Sequence, residues 1–268
     1  MRIYLIFLLI FLHPSVNGSS GDMPSWGARS SGLANASVML PDFWSVFQNQ
    51  AGLAFLDRIE VGFHHQSGFV KETDRQALAL VFPTTTGTLA SSFSYYGYTH
   101  YHESKWGLAY GRLLGEHFAA GIQMDYLSTK ISGSYGSASM LTFEAGIMVR
   151  IMEQMYLGAH VFNPVQLRTG QYEGKIPAVF RMGAGYGFSE SVWISFEMEK
   201  QTVKPVMPKV GIEYEPVDRF FIRTGIAVNP LMNHFGVGYT WQSLQADIAF
   251  GYHHILGYLP DFSLKYAF

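Results

Sequence analysis

The sequence has no cysteine, few charges and, beyond its first residues, no long apolar run. Its 268 residues include 14% charged residues, whereas an average soluble domain has about 25%. Without cysteine there is no disulfide, no thiolate chemistry and no lipid-modified cysteine. After residue 12 no stretch approaches the ~18 apolar residues of a membrane-spanning helix. These deficits argue against a helical membrane protein, a lipoprotein and an ordinary water-soluble globule.

Aromatic residues and glycine are abundant instead. Aromatic residues make up 16% of the chain and there are 28 glycines, yet the mean hydropathy is only +0.09. The formal charge of −2 leaves no basic excess, so nucleic acid is not an expected partner. This combination is typical of a β-barrel membrane protein.

The first 18 residues have the layout of a secretory signal peptide. Met1-Arg2 supplies a positive start, Ile3 to Leu12 is apolar, and Val16-Asn17-Gly18 offers a cleavage site before Ser19. The alternative is a buried N-terminal strand or helix. We expect residues 1–18 to be removed on export, so that the mature protein lies in the outer membrane.

From Asp57 to the end, short segments of alternating residues predict fourteen strands. Their number and spacing predict a 14-stranded antiparallel transmembrane β-barrel over residues 57–268. The predicted strands are 57–66, 75–83, 87–98, 105–114, 117–127, 139–150, 154–162, 177–188, 191–200, 208–215, 219–228, 234–242, 244–253 and 260–268.

The connections between these strands alternate between short and long. Ser189-Glu190 and Gln242-Ser243 are tight turns, whereas Ser67–Asp74 and Asn163–Ile176 are longer loops. Outer-membrane barrels have this asymmetry, with short turns and both termini on the periplasmic side. An even number of strands follows.

The two faces of the predicted strands differ in charge. One face, for example Val192, Ile194 and Phe196, carries no charge and suits lipid. A soluble β-sandwich would instead bury this face. The opposite face is predicted to form a lumen charge network that comprises Arg58, Glu60, Asp125, Glu144, Arg150, Arg181, Glu197, Glu213, Arg223, Asp247 and Lys265. Its nearly balanced signs favour cross-lumen salt bridges over an ion-selective pore.

The last strand ends in alternating apolar residues. Phe262, Leu264, Tyr266 and the terminal Phe268 share one face. This pattern resembles the C-terminal signal by which the barrel-assembly machinery recognises outer-membrane proteins. Together with outer-membrane lipid, that machinery is an expected partner.

Residues 19–56 do not read as a spanning strand. Gly27 to Ala36 is a run of small residues that suits close backbone contact, and Phe43 to Gln48 reads as a short amphipathic helix. We expect this segment to fold inside the lumen as a hatch. Arg29 is expected to pair with a lumen carboxylate, Glu144 or Glu213.

The hatch sequence resembles a known family. Gly27, Ala28 and Arg29, followed by Asn49, Gln50, Ala51 and Gly52, resemble the N-terminal hatch of FadL-like outer-membrane proteins, in particular the PorV/PorQ type. Gln50 stands where that family usually has proline, which predicts a less rigid turn.

The resemblance implies two functions. PorV/PorQ-type proteins are non-enzymatic accessories of type IX-like protein secretion or surface attachment, which implies a secretion-machine protein partner. FadL-like barrels instead carry hydrophobic small molecules passively across the outer membrane. The motif favours the first function, and the short loops favour the hydrophobic ligand.

No residues form an evident catalytic set, and no cofactor is expected. His100, His102 and Glu103 could supply half of a metal site. Interfacial histidines among tyrosines are the simpler interpretation, so neither a metal nor an enzymatic activity is predicted.

Overall fold

The computed structural model describes residues 26–132, 136–165, 176–202, 204–255 and 257–268. The predicted signal peptide, 1–18, and residues 19–25 lie outside this range. All fourteen predicted strands are present. They are β1 Glu60–Gln66, β2 Arg75–Thr84, β3 Gly87–Tyr98, β4 Tyr101–Leu113, β5 Phe118–Ile131, β6 Gly136–Met152, β7 Met155–Phe162, β8 Val179–Ser189, β9 Val192–Gln201, β10 Met207–Val217, β11 Phe220–Ala227, β12 Met232–Trp241, β13 Leu244–His253 and β14 Gly257–Ala267.

The strands close into one antiparallel barrel. Each strand pairs with its neighbours in sequence, and β1 pairs with β14 from Glu60↔Ala267 to Gln66↔Asp261. Closure leaves no sheet edge along the cylinder. None of the described helices is both long and apolar enough to cross a membrane.

The barrel has two unlike rims. We call the end with the tight turns, where β1 begins and β14 ends, the short-turn rim, and the opposite end the loop rim. At the loop rim β4 begins at Tyr101 rather than 105, and β5 ends at Ile131 rather than 127. Strand β6 has 17 residues whereas β7 has 8. Strands β4–β6 therefore project further at the loop rim than the sequence predicted, whereas β3 has the predicted bounds.

The outer face of the wall is apolar. Leu108, Ile122 and Trp241 are 62–64% exposed, and exposed and buried residues alternate along most strands. Water would disfavour so large an exposed apolar surface, whereas lipid accommodates it. The fold is thus a transmembrane β-barrel with its polar residues turned inward.

The described N-terminal residues 26–56, which we call the plug, pack against the inward-facing side chains. The plug contains α1 (Ala28–Gly32), α2 (Ser45–Gln48) and a 3₁₀ helix (Gln50–Phe55). Helix α1 contacts β11–β14, and the 3₁₀ helix contacts β3–β6. Between residues 26 and 53, only Arg29, Asn35 and Pro41 are not fully buried. The predicted helix over 43–48 is present but begins at Ser45.

Two wall glycines show how closely the plug approaches the barrel. A Cβ at Gly121 would collide with the backbone of Gln50. A Cβ at Gly225 would lie 2.7 Å from the backbone nitrogen of Ala34. Real Cβ atoms do not approach backbone atoms so closely, and these backbone atoms are fixed in the plug. A side chain at either position would push the plug away from the wall.

We therefore expect Gly225→Ala to destabilise the plugged barrel. Overpacking of this kind costs about 1–3 kcal/mol. The matched control is Gly187→Ala, because the nearest atom to a Cβ there is the flexible Gln154 side chain at 3.4 Å. Thermal unfolding in detergent measures both variants. Equal midpoints for the two would contradict tight contact between the plug and Gly225.

Candidate functional site

Arg29, the only arginine in the plug, holds the plug to the barrel wall. Arg29 donates from Nε and Nη2 to the two carboxylate oxygens of Glu213, at 3.0 and 2.7 Å, and from Nη1 to Asp42 at 2.9 Å. Burial favours a neutral guanidine, but Glu213 and Asp42 outweigh it and raise the pKa of Arg29 above its ordinary value. Of the two expected partners, Arg29 contacts Glu213.

Two further wall glutamates bind the plug. Glu197 accepts hydrogen bonds from the backbone nitrogens of Ser37 and Val38, both at 2.8 Å. Glu144 accepts one from the Gln50 amide, also at 2.8 Å. Glu144, Glu197 and Glu213 lie on β6, β9 and β10. We call these three residues the anchor glutamates, because each joins one part of the plug to the barrel.

The anchor glutamates belong to a larger set of buried ion pairs. Lys105 binds Glu144 at 2.5 Å, and Arg223 bridges Glu213 and Asp247 at 2.5 and 2.7 Å. Lys209 bridges Glu197 and Glu199 at 2.9 and 2.8 Å. Other interior pairs among the described residues are Lys105–Asp125, Arg181–Glu199, His160–Glu144, His64–Asp261 and Lys265–Glu60.

Two residues of the predicted lumen network lie elsewhere. Arg58 precedes β1, so strand alternation does not apply to it, and its exposed side chain lies 4.0 Å from Asp57. Arg150 donates to the backbone oxygen of Glu116 at the short-turn rim, where the β6–β7 register shifts. Neither residue takes part in the interior ion pairs that the structure describes.

The sequence analysis missed several members of the network. Glu199 and Lys209 share the strand parity of Glu197 and Glu213, so alternation alone could have identified them. Lys105 was placed at the edge of its predicted strand, and His160 was not connected to any carboxylate. Asp261 shares the parity of Lys265, so alternation could have identified it too. Asp42 lies in the plug and had no periodic signal.

A second sector of the lumen is apolar. The plug side chains Trp26, Phe43, Trp44 and Phe47 pack beside small inward-facing residues of β2–β4. The ring centroids of Trp26 and Phe47 are 5.6 Å apart, and those of Phe43 and Trp44 are 5.0 Å apart. We call this sector the aromatic seam; its wall side consists of Ala77, Ala79, Val81, Ala90 and Ala109.

The hatch motif lies where the plug turns toward the 3₁₀ helix. The Asn49 side chain accepts a hydrogen bond from the Ala51 backbone and donates to the backbone oxygens of Val38 and Ile147. Gln50 donates to the Val46 backbone oxygen as well as to Glu144. The Gln50 amide thus ties the turn to the wall, and the lower rigidity expected at this position stays a prediction. Gly27, Ala28 and Gly52 are buried.

The other predicted features lie on the outside or at the rims. Phe262, Leu264, Tyr266 and Phe268 are exposed on the outer face of the barrel end. Recognition of these residues by the assembly machinery stays a prediction. His102 stacks on Tyr95 and His100 contacts Tyr98, with ring centroids 5.4 and 5.6 Å apart. No metal-binding group of three or more ligands occurs among the described residues.

These features define a plugged, closed, fourteen-stranded transmembrane barrel, and solved structures share its fold. The Pseudomonas putida toluene transporter TodX has a TM-score of 0.70 at 10% identity, over 92% of this chain and 99% of TodX. A Pseudomonas aeruginosa FadL homologue has a TM-score of 0.67 at 13% identity, over 91% and 98%. The CymD monoaromatic hydrocarbon channel has a TM-score of 0.65 at 12% identity, over 91% and 98%. No protein-family model and no curated protein sequence matches the chain.

The comparisons thus support a FadL-like barrel fold. Identities of 10–13% show the fold alone. The PorV/PorQ subtype and a role in protein secretion find no support among these structures, of which TodX is named as a transporter and CymD as a channel. Of the resemblance drawn from the opening motif, the comparisons support the FadL-like barrel fold and do not support the PorV/PorQ type.

Proposed function

We propose that this protein is a passive, non-enzymatic carrier of uncharged hydrophobic small molecules across the outer membrane, with the plug as its gate. The observation that carries this proposal is the aromatic seam. It is the largest of the apolar clusters that the structure describes inside the lumen, and it lies beside the buried ion pairs. The shared fold with hydrocarbon channels supports the same function.

The aromatic seam is suited to open between the plug rings and the barrel wall. Alanine dominates the barrel side, so displacement of a plug ring would leave ring-sized apolar space next to β2–β4. The plug side supplies flat rings, which stack with other aromatic molecules at 4.5–7 Å. In the described state the rings fill this space, and Trp44 and Phe47 are at most 2% exposed. We infer that the plug rings move when a molecule passes.

The charges of the lumen select against an anionic molecule. Each basic residue of the interior network already contacts a carboxylate, as Arg29 does with Glu213 and Lys105 with Glu144. An entering carboxylate would lose its hydration and would find no unpaired cation among these groups. Its transfer into the lumen is therefore costly. An aromatic hydrocarbon pays no such penalty, so the preferred molecule is uncharged.

Uptake by whole cells tests this function. Cells whose outer leaflet is lipopolysaccharide should take up toluene several-fold faster when they produce the barrel, whereas benzoate uptake should not change. Trp44→Ala should raise toluene uptake further, because it removes the central ring of the seam. Initial rates of labelled-compound uptake give the measurement.

Trp106→Ala is the matched control, because Trp106 is 57% exposed on the lipid face. It should leave toluene uptake unchanged. Equal toluene uptake with and without the barrel would contradict the carrier function, and faster benzoate uptake would contradict the selection against anions.

A further inference from the structure

The outward face of β3–β6 changes chemistry abruptly near the loop rim. The last apolar row across these strands consists of Phe93, Trp106, Tyr126 and Leu141, which are direct cross-strand partners. Two residues further along each strand, the partners are Tyr95, Ser104, Ser128 and Ser139. The next row pairs His102 with Lys130 and Lys130 with Ser137. A hydroxyl-rich surface thus begins directly beyond the aromatic girdle.

The position of this surface along the strands indicates which layer of the membrane it faces. Strand residues advance about 3.3 Å each, so the serine row lies about 7 Å beyond the row that contains Trp106. Trp and Tyr girdles mark the boundary between hydrocarbon and headgroups. A polar row one step beyond that boundary lies at headgroup depth, on the outside of the barrel.

The charge of this surface is positive. Lys130 is exposed, and Glu103, the acid on the same stretch of β4, accepts a hydrogen bond from the Tyr101 hydroxyl and has the inward parity. A recess of about 310 Å³ lies beside Lys130 and is lined in part by Thr99, His102 and Ser137. The recess therefore offers a cation and hydroxyls.

We propose that this surface binds the phosphorylated sugar headgroup of an outer-leaflet glycolipid. The serine patch comprises His102, Ser104, Ser128, Lys130, Ser137 and Ser139. Lys130 would pair with a phosphate, and the serine hydroxyls would bond to the sugar hydroxyls. The stacked Tyr95 and His102 rings provide a flat surface beside them. The acyl chains of the same lipid would lie along the apolar row below. This inference does not depend on which molecule passes through the lumen.

The test uses the full-length barrel purified in detergent and titrated with bis-phosphorylated lipid A, with binding measured by native mass spectrometry. We expect Lys130→Ala to bind lipid A about five-fold more weakly, since one lysine at a membrane surface contributes about that factor. Lys200→Ala is the matched control: Lys200 is also exposed near the loop rim, but its Nζ donates to the Lys204 backbone oxygen in another sector. It should bind as the wild type does.

Two further probes identify the ligand. Combined Ser104→Ala, Ser128→Ala and Ser139→Ala should remove the preference for lipid A over phosphatidylglycerol, because a phospholipid lacks the sugar hydroxyls. Millimolar inorganic phosphate should not displace lipid A. Equal affinity of wild type and Lys130→Ala, equal affinity for phosphatidylglycerol and lipid A in the wild type, or displacement by free phosphate would each overturn the proposal. Heat-modifiable migration on gels establishes that every variant is folded.

Discussion

Deletion of residues 26–50 is expected to convert the barrel into an open, cation-selective pore. The deletion removes α1 and α2 with their contacts to β3 and β11–β14, and it leaves most of the 3₁₀ helix beside β3–β6. The wall residues of the interior ion-pair network that remain include more acids than bases. The acids are Glu60, Asp125, Glu144, Glu197, Glu199, Glu213, Asp247 and Asp261, and the bases are Lys105, Arg181, Lys209, Arg223 and Lys265.

Single-channel recording in planar bilayers measures this effect. The wild-type barrel should be nearly silent, whereas the deleted barrel should conduct steadily with a reversal potential that favours potassium over chloride, because acidic rings attract cations. Neutralising the anchor glutamates to glutamine in the deleted barrel should abolish the cation preference and preserve the conductance. A silent deletion barrel would mean that the plug does not close the lumen, and chloride preference would contradict the charge count.

Glu213→Gln is expected to loosen the plug without opening the barrel wall. The substitution removes the bidentate partner of Arg29 and leaves Asp42 as its remaining carboxylate. Loss of a buried ion pair of this kind costs about 3 kcal/mol, which corresponds to about a 100-fold increase in the undocked population. Arg223 retains Asp247, so the wall keeps one of its two pairs at that point.

The absence of native cysteine makes this measurement direct. A single Ser31→Cys substitution places a thiol on α1, where Ser31 is 3% exposed. Its maleimide labelling rate should rise about 100-fold in the Glu213→Gln background. Glu215→Gln is the control, because Glu215 lies two residues further along β10 and accepts from the Arg219 backbone at the exposed rim. Equal labelling in the two backgrounds would show that Arg29 does not hold the plug.

The number of strands and their faces could be predicted from the sequence, because both depend on local patterns. Alternation placed Ile194 and Phe196 outward and Glu197 inward, and tight turns such as Ser189-Glu190 separated the strands. These signals repeat fourteen times, so an error at one boundary leaves the count unchanged. Pairing of β1 with β14 then followed from closure alone.

The extension of β4–β6 at the loop rim could not be predicted in the same way. Beyond Trp106 and Tyr126 the strands continue through serine and histidine, where neither face is apolar. Hydrophobic alternation ends at the membrane boundary, but backbone pairing continues to Tyr101↔Ile131 and Ile131↔Gly136. The predicted strands therefore cover the apolar belt and omit the part of β4–β6 that extends beyond it at the loop rim.

The partners inside the lumen were only partly predictable. A charge inside the lumen must find a counterion, which predicted that Arg29 pairs with Glu144 or Glu213, and the structure pairs it with Glu213. Which counterion it finds depends on strand register and on the path of the plug, and neither is encoded by local periodicity. Gln50 illustrates this, because its side chain binds Glu144, 94 residues away. From sequence it was only a departure from proline.

The path of the plug has a consequence for how the cylinder is held closed. The chain completes β14 last, and the β1–β14 pair joins strands that are almost the whole barrel sequence apart, so closing it carries the largest loop-closure cost. Helix α1 touches β11–β14 while the 3₁₀ helix touches β3–β6. A seated plug therefore bridges early strands and late strands of the chain. Its contacts add to the β1–β14 hydrogen bonds that hold the cylinder closed.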